Sequence, residues 1–306
     1  MVDIALPATF TRTVEDCWGA DGRRWLAALP RIAGQVLRKW DLTVEEPFPL
    51  SMNWVTRVRR ADGSTAVLKL GVPEAGHLAD EAVALEFFAG NGAVALLGRD
   101  DTLGALLEEE ARPGVQVRSL VPERDEEATA ALIDVMRRLH RPAPPGLPLP
   151  ELSRRVASFD DHLRRFPDGG PIPRHLVERA RELFADLCAT ATGRVVLHGD
   201  LHHDNVLTAD REPWLAIDPH GVIGDPGYEA GALLYNPDPL DPDDTVLDLA
   251  RARIEQLADG LGIPVDRVTA WGFAQGVLSE VWMFEGDGGR NMRSLRLAER
   301  LLPLLP

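Results

Sequence analysis

The spacing of apolar and polar positions changes character along the chain. Over residues 50–70, SMNWVTRVRRADGSTAVLKLG, apolar side chains recur at every second position in two runs, WVTRVRR and TAVLKLG, separated by Asp62-Gly63. That pattern predicts two strands joined by a tight hairpin turn. The next segment, LADEAVALEFFAGNG, places Ala82, Leu85 and Phe88 at helical intervals, and Gly90 and Gly92 mark its end. Two further runs, AVALLGRD and TLGALLEEE, predict two more strands, closed by Arg112-Pro113-Gly114. The first third of the chain therefore reads as a small sheet with one helix. Residues 126–140 have helical periodicity, and RPAPPGLPLPE after them predicts an ordered crossing or a surface loop. Residues 151–192 and 245–303 read as mostly helical, enclosing the short strands of RVVLHGDLHHDNVL and PWLAIDPHG.

Length and composition narrow the class. With 306 residues, 45% of them hydrophobic, the chain can bury the cores of about two domains. No stretch approaches the ~20 apolar residues that span a bilayer, and MVDIALPATF has no basic start before an apolar run. A cytoplasmic protein without a membrane anchor is the expectation. Cys17 and Cys188 are far apart, without metal-ligand spacing, and are expected to be small buried residues. The 33 Lys+Arg against 48 Asp+Glu give a net charge of −15, which argues against nucleic acid as a partner. Only Lys39 and Lys69 are lysines. Lys39, in Arg38-Lys39-Trp40, is expected on the surface. Lys69 lies in AVLKLG, where alternation puts Val67 and Lys69 on one face and Leu68 and Leu70 on the other.

The strand-rich centre carries the candidate chemistry. An apolar strand ends in His198-Gly199-Asp200, Asn205 follows Asp200 by five residues, and Asp218 ends a second strand thirteen residues later. An Asp at a strand end can accept a hydroxyl proton. An Asn five residues on and a further Asp can hold a metal that bridges phosphates. Such oxygen ligands suit Mg2+. Zinc is the competing reading, since His198, His202, His203 and His220 crowd the segment. Adjacent histidines on an extended segment point to opposite faces, so His202 and His203 cannot readily share one ion and zinc is disfavoured.

HGDLHHDN and IDPHG resemble the catalytic loop and metal-binding loop of the aminoglycoside phosphotransferase (antibiotic kinase) family. Gly199 stands where the related protein kinases carry Arg, and Pro219-His220 where they carry Phe-Gly. The resemblance covers most of the chain, and residues 20–115 with WGFAQGVLSEVWMFEGDG look most like the streptomycin 6-kinase and hydroxyurea phosphotransferase subgroup. It implies an α+β, two-lobed protein-kinase-like fold. A nucleotide-binding N-lobe of 1–108 would precede a mainly helical C-lobe of 109–306 carrying the catalytic loop, metal loop and acceptor region. It implies ATP and Mg2+ as cofactors, Asp200 as the residue that orients and deprotonates the acceptor hydroxyl, and Asn205 and Asp218 as metal ligands. Lys69 would match the phosphate-binding Lys and Glu81 its ion-pair partner. No G-x-G-x-x-G is present, so Ser51, Met52 and Asn53 would cover the phosphates. The segment LLEEEA, Leu106 to Ala111 with Glu108 and Glu109, would be the hinge that binds the base.

The acceptor is expected to be a cationic small molecule, an aminoglycoside or amino sugar. From Asp225 to Asp248 the chain has seven acidic residues and no Lys or Arg. Asp241, Asp243 and Asp244 are expected on a solvated face, whereas Asp225 and Glu229 follow the metal loop directly. Glu280, Glu285 and Asp287 are interleaved with Trp282 and Phe284. Carboxylates beside aromatics suit a polycationic sugar, although Trp271, Trp282 and Phe284 also fit a helix core. The leading function is transfer of the ATP γ-phosphoryl group to an aminoglycoside hydroxyl, streptomycin first. A kinase for a primary metabolite and a non-catalytic nucleotide-binding pseudokinase are the alternatives. The sequence leaves the oligomeric state open.

Overall fold

A computed structural model describes residues 6–167, 170–237, 244–285 and 292–305. They form two compact units, residues 1–112 and 113–306. Among the described residues no helix is long and apolar enough to cross a membrane.

The first unit is a five-stranded antiparallel sheet with a helix against each face. Its elements are α1 (Ala8–Trp40), β1 (Leu42–Pro47), β2 (Trp54–Arg60), β3 (Thr65–Leu70), α2 (His77–Phe88), β4 (Leu96–Asp100) and β5 (Ala105–Glu109), in the sheet order β1-β2-β3-β5-β4. The predicted hairpin is β2–β3. Gly63 has φ +85°, and the Ser64 N–H donates to Asp62 Oδ1 at 2.9 Å. Trp54 and Val58 of β2 and Ala66, Leu68 and Leu70 of β3 share one buried cluster with Trp25, Leu29, Ile32 and Val36 of α1. Leu78 and Ala82 of α2 pack with Leu106 of β5 in a second, smaller cluster. The sheet thus has one strand and one helix more than the sequence reading gave. The extra helix was readable, because Trp25, Leu29, Ile32, Ala33 and Val36 keep helical spacing.

The second unit is mainly helical. It contains β6 (Pro113–Gln116), α3 (Asp125–Leu139), α4 (Val156–Arg165), α5 (Arg174–Ala189), β7 (Val195–Leu197), β8 (Val206–Ala209), β9 (Trp214–Ala216) and β10 (Val222–Gly224). Then follow α6 (Tyr228–Ala232), α7 (Thr245–Asp248), α8 (Ala250–Leu261), α9 (Val265–Glu285) and α10 (Arg293–Leu301). Helix α9 is apolar around most of its circumference, and α5, α6, α8 and α10 pack against it. Trp271, at 0% exposure, stacks edge-on with Phe184 and Tyr228, so it belongs to the core.

The run before Pro113-Gly114 does end, at Glu109, and Pro113 opens a further strand, β6, which pairs with β8. Both cysteine expectations are corrected. Cys17 is exposed rather than buried. Cys188 is half-buried, with its thiol pushed up to about 12 by burial. The proline-rich 141–151 segment is the ordered crossing, since Ala143 N–H bonds Arg194 C=O at 3.0 Å and Ile223 N–H bonds Pro150 C=O at 2.9 Å. Lys39 is a surface residue paired with Asp100 at 2.7 Å.

Candidate active site

In the first unit the strand pleat aims Lys69 away from the α1 core. Lys69 pairs with Glu81 of α2, and its Nζ is 3.5 Å from Glu108 Oε1 of β5. All three side chains are buried, a setting in which removing one partner leaves an uncompensated charge. Glu81 lies on the first turns of α2. Glu108 is turned to Lys69. Glu109 accepts the Ala95 N–H at 2.9 Å through Oε2. Leu106 to Glu108 pair with both β3 and β4, and Glu109 pairs with β3, which engages their backbone in the ladder. Asn53 Oδ1 lies 2.8 Å from His77 Nε2 at the start of α2, and His77 stacks flat on Trp18 at 5.4 Å. Ser51 is exposed in the same bend, next to exposed Met52.

In the second unit two loops are tied together around Asp200. His198 is fully buried at the end of β7, and burial lowers its pKa to about 3, so the ring is neutral. Its Nδ1 accepts the Asp200 N–H at 3.3 Å, and its Nε2 donates to Ile217 C=O at 2.8 Å. Two backbone bonds run beside it, Ile217 N–H to Asn205 C=O at 2.9 Å and Gly221 N–H to His198 C=O at 3.0 Å. The catalytic-loop and metal-loop candidates thus form one hydrogen-bonded piece. Gly199 has φ +86°, and a Cβ there would sit 3.3 Å from Arg155, His220 and Val222 atoms. Only glycine fits that turn without strain. Asp200 is part-exposed, with His220 Nε2 and His202 Nε2 at 3.6 and 3.8 Å from its Oδ2.

The donor set fits Mg2+. Asn205 Nδ2 donates to Asp200 C=O at 2.9 Å, which leaves Oδ1 as the amide atom able to meet a cation. Asp218 is exposed with a left-handed φ of +58°, a conformation Asp tolerates better than most residues. An amide oxygen and a carboxylate oxygen on adjoining loops are hard donors of the kind Mg2+ takes. His202 and His203 diverge. His203 is wholly buried, which holds its ring neutral, whereas His202 is only partly buried and its Nδ1 accepts the Asp204 N–H at 3.3 Å.

Beneath the loop lies Glu229 of α6, 1% exposed. Its Oε1 accepts the Gly199 N–H at 2.8 Å, and burial pushes its pKa up to about 7. The Gly199 C=O accepts from Arg155 Nη1 at 3.0 Å. The Arg155 guanidinium also bonds the Tyr228 hydroxyl, and lies over the Tyr228 ring at 5.1 Å and the Trp282 ring at 5.2 Å. Trp282 donates Nε1–H to Ser158 Oγ at 3.0 Å and stays 38% exposed.

The expected acceptor carboxylates are therefore spread out. Asp225 is 2% exposed, pairs with Arg267, and accepts from Trp271 Nε1 at 3.1 Å and from Gly227 N–H at 2.7 Å. Glu280 is 3% exposed and accepts from Ser294 Oγ at 2.6 Å. Both work inside the helical core. Asp244 pairs with Arg296 at 2.7 Å. Asp241, Asp243 and Asp287 lie outside the described residues, as does the side chain of Glu285. Sequence reasoning missed Arg155, because Arg154-Arg155 carries no spacing that ties it to Gly199.

Residues 40–288 match the family described as aminoglycoside/hydroxyurea antibiotic resistance kinase. The chain belongs to this kinase family. It is 30% identical to a streptomycin 6-kinase of Streptomyces glaucescens across 97% of both chains. It is also 34% identical to a hydroxyurea phosphotransferase of Kitasatospora aureofaciens, over 98% of this chain and 86% of that one. Among solved structures, a choline kinase of Streptococcus pneumoniae superposes with a TM-score of 0.63 at 11% identity, over 90% of this chain and 98% of the other. A thermostable aminoglycoside phosphotransferase mutant superposes at 0.56 and 18% identity, over 88% and 96%. These two likenesses show the protein-kinase-like fold of the family.

Proposed function

We propose that this kinase-family chain transfers the γ-phosphoryl group of ATP to a hydroxyl of an aminoglycoside, with streptomycin as the first acceptor. The observation that carries the reading is the tied pair of loops around Asp200. It sits in a chain 30% and 32% identical to two streptomycin 6-kinases over nearly its whole length. In this reading Asp200 orients the acceptor hydroxyl and takes its proton, and His198 and Asn205 fix the backbone that carries it. Asn205 and Asp218 would hold Mg2+, which when bound neutralises charge on the phosphate oxygens. Lys69, held by Glu81, would bind phosphate. Ser51 and Asn53 would cover the nucleotide, and the backbone that follows Glu109 in the Leu106 to Ala111 segment would take the base. With little covalent chemistry for the protein to perform, positioning and charge neutralisation supply most of the rate. The enzyme would act in the cytoplasm, where ATP is available.

The acceptor side of the reading is narrower than the acidic composition suggests, since Asp225, Glu229 and Glu280 are buried in internal bonds. The hydroxyurea phosphotransferase relative makes hydroxyurea the second acceptor to test. Incubation with MgATP and each of streptomycin, a panel of aminoglycosides and hydroxyurea, read by the mass gain of one phosphate, decides between them. Asp200→Ala is expected to lower turnover by about 10²–10⁴ while MgATP still binds. No phosphorylated product with any acceptor, or wild-type turnover in that variant, overturns the proposal.

A further inference from the structure

The Lys69 cluster holds one carboxylate more than a Lys–Glu pair needs. Lys69 of β3 lies opposite Leu106 and Val67 opposite Glu108, so the pleat places Lys69 and Glu108 on the same face of neighbouring strands. From across the sheet α2 brings Glu81. The three side chains are 3%, 7% and 4% exposed. Facing Glu108 are therefore Lys69 from β3 and Glu81 from α2, while the β4 residue opposite it, Leu96, is apolar. The neighbouring Glu109 is engaged by Ala95 instead.

Two carboxylates around one ammonium leave a net negative charge in a dry site when all three are ionised. The balance holds only while Lys69 sits between the two carboxylates, because an opposite charge favours the ionised form and a like charge disfavours it. A nucleotide reverses the balance. When phosphate oxygens engage Lys69, Glu108 loses much of its cation and gains anionic neighbours. Glu81, on α2, remains the partner that orients the Lys.

We infer that Glu108 is a positioning residue that holds Lys69 in the empty enzyme and takes up one proton from solvent when a nucleotide's phosphates engage Lys69. The proton returns to solvent when the nucleotide leaves, and no covalent bond changes. The inference rests on the reading that Lys69 binds phosphate. Proton uptake makes nucleotide affinity fall as pH rises, by up to about tenfold per pH unit across the window in which the group titrates.

The test is calorimetric titration with the magnesium complex of a non-hydrolysable ATP analogue, in buffers of different ionisation enthalpy and at several pH values. The analogue's own protons cancel in the comparison between variants. Wild type should take up more protons than Glu108→Gln, and its affinity should weaken more steeply with pH. Glu108→Asp, which keeps a titrating carboxyl, should restore part of the difference. Lys69→Ala should weaken binding at every pH. Equal proton uptake in wild type and both Glu108 variants, with Lys69→Ala still weakened, overturns the inference and leaves Lys69 as a phosphate ligand. Unchanged affinity in Lys69→Ala overturns both. Should Glu108→Gln fail to fold, a pH-independent wild-type affinity, corrected for the analogue's ionisation, overturns the inference by itself.

Discussion

Glu229 shows how one buried side chain can set both the geometry and the pH response of the loop that carries Asp200. Its carboxylate holds the Gly199 N–H beside Asp200, a bond that an ionised acceptor strengthens. Burial works against ionisation and pushes its pKa from 4.5 up to about 7. Because the folded value lies above the unfolded one, this group's contribution to stability is present in full below about pH 4.5. It is lost as pH rises through about 7. The Glu229→Gln variant keeps an acceptor oxygen and removes the titration. Between pH 5 and pH 8 it should therefore gain stability relative to wild type by on the order of 3 kcal/mol, read from denaturant midpoints. Parallel pH profiles for the two proteins would show that the carboxyl does not titrate in the folded state. Neutral His198 acts in the same place by geometry alone, since it links Asp200 N–H to Ile217 C=O through its two ring nitrogens.

At the scale of elements, the sheet of the first unit is held from two sides for different purposes. Helix α2 brings Glu81 to Lys69, while α1 supplies apolar area. Leu29 of α1 is 0% exposed among Trp25, Val36, Leu68 and Leu70. The Leu29→Ala variant should lose about 2–5 kcal/mol of stability from the transfer and cavity costs together. Thermal unfolding checks the loss, and the affinity of the folded variant for MgATP should be retained. An affinity that collapses while the fold remains intact would instead give α1 a direct role in the nucleotide site. In the second unit α9 plays the comparable part. Its buried Trp271 packs edge-on against Tyr228 of α6, and α6 carries Glu229 to the loop of Gly199 and Asp200.

The whole molecule carries a charge of −15. Several of its acids are spent internally, Asp225 on Arg267 and Asp244 on Arg296. What remains is a long-range field that attracts a guanidinylated acceptor and repels a free nucleotide. For streptomycin, kcat/KM at saturating MgATP should fall several-fold as monovalent salt rises from about 50 to about 500 mM, because the Debye length shrinks from about 14 to about 4 Å. With hydroxyurea, which is uncharged, the same series should be nearly flat. Equal salt dependence for the two acceptors would remove electrostatic steering from the account.

Much of this protein follows from local sequence. Period-two alternation marked β2 and β3 and put Lys69 on the face opposite Leu68 and Leu70, because successive strand side chains must alternate. The five-residue step from Asp200 to Asn205, and the strand ending at Asp218, marked the two loops, because local spacing brings those groups to adjoining turns. The long-range partnerships depend on how distant segments pack. Arg155 reaches Gly199 across 44 residues and Glu229 reaches it across 30, and Glu108 joins Lys69 through strand register. Composition suggested that Asp225 and Glu280 face an acceptor; packing turned both inward, because a part-buried Arg267 and a buried Trp271 and Ser294 needed acceptors. The sequence by itself determined which residues could do the chemistry, since residue type and local spacing are written in it. Only the tertiary structure decided which carboxylates remain exposed and which hold the fold, since burial and hydrogen bonding are properties of neighbours far apart along the chain.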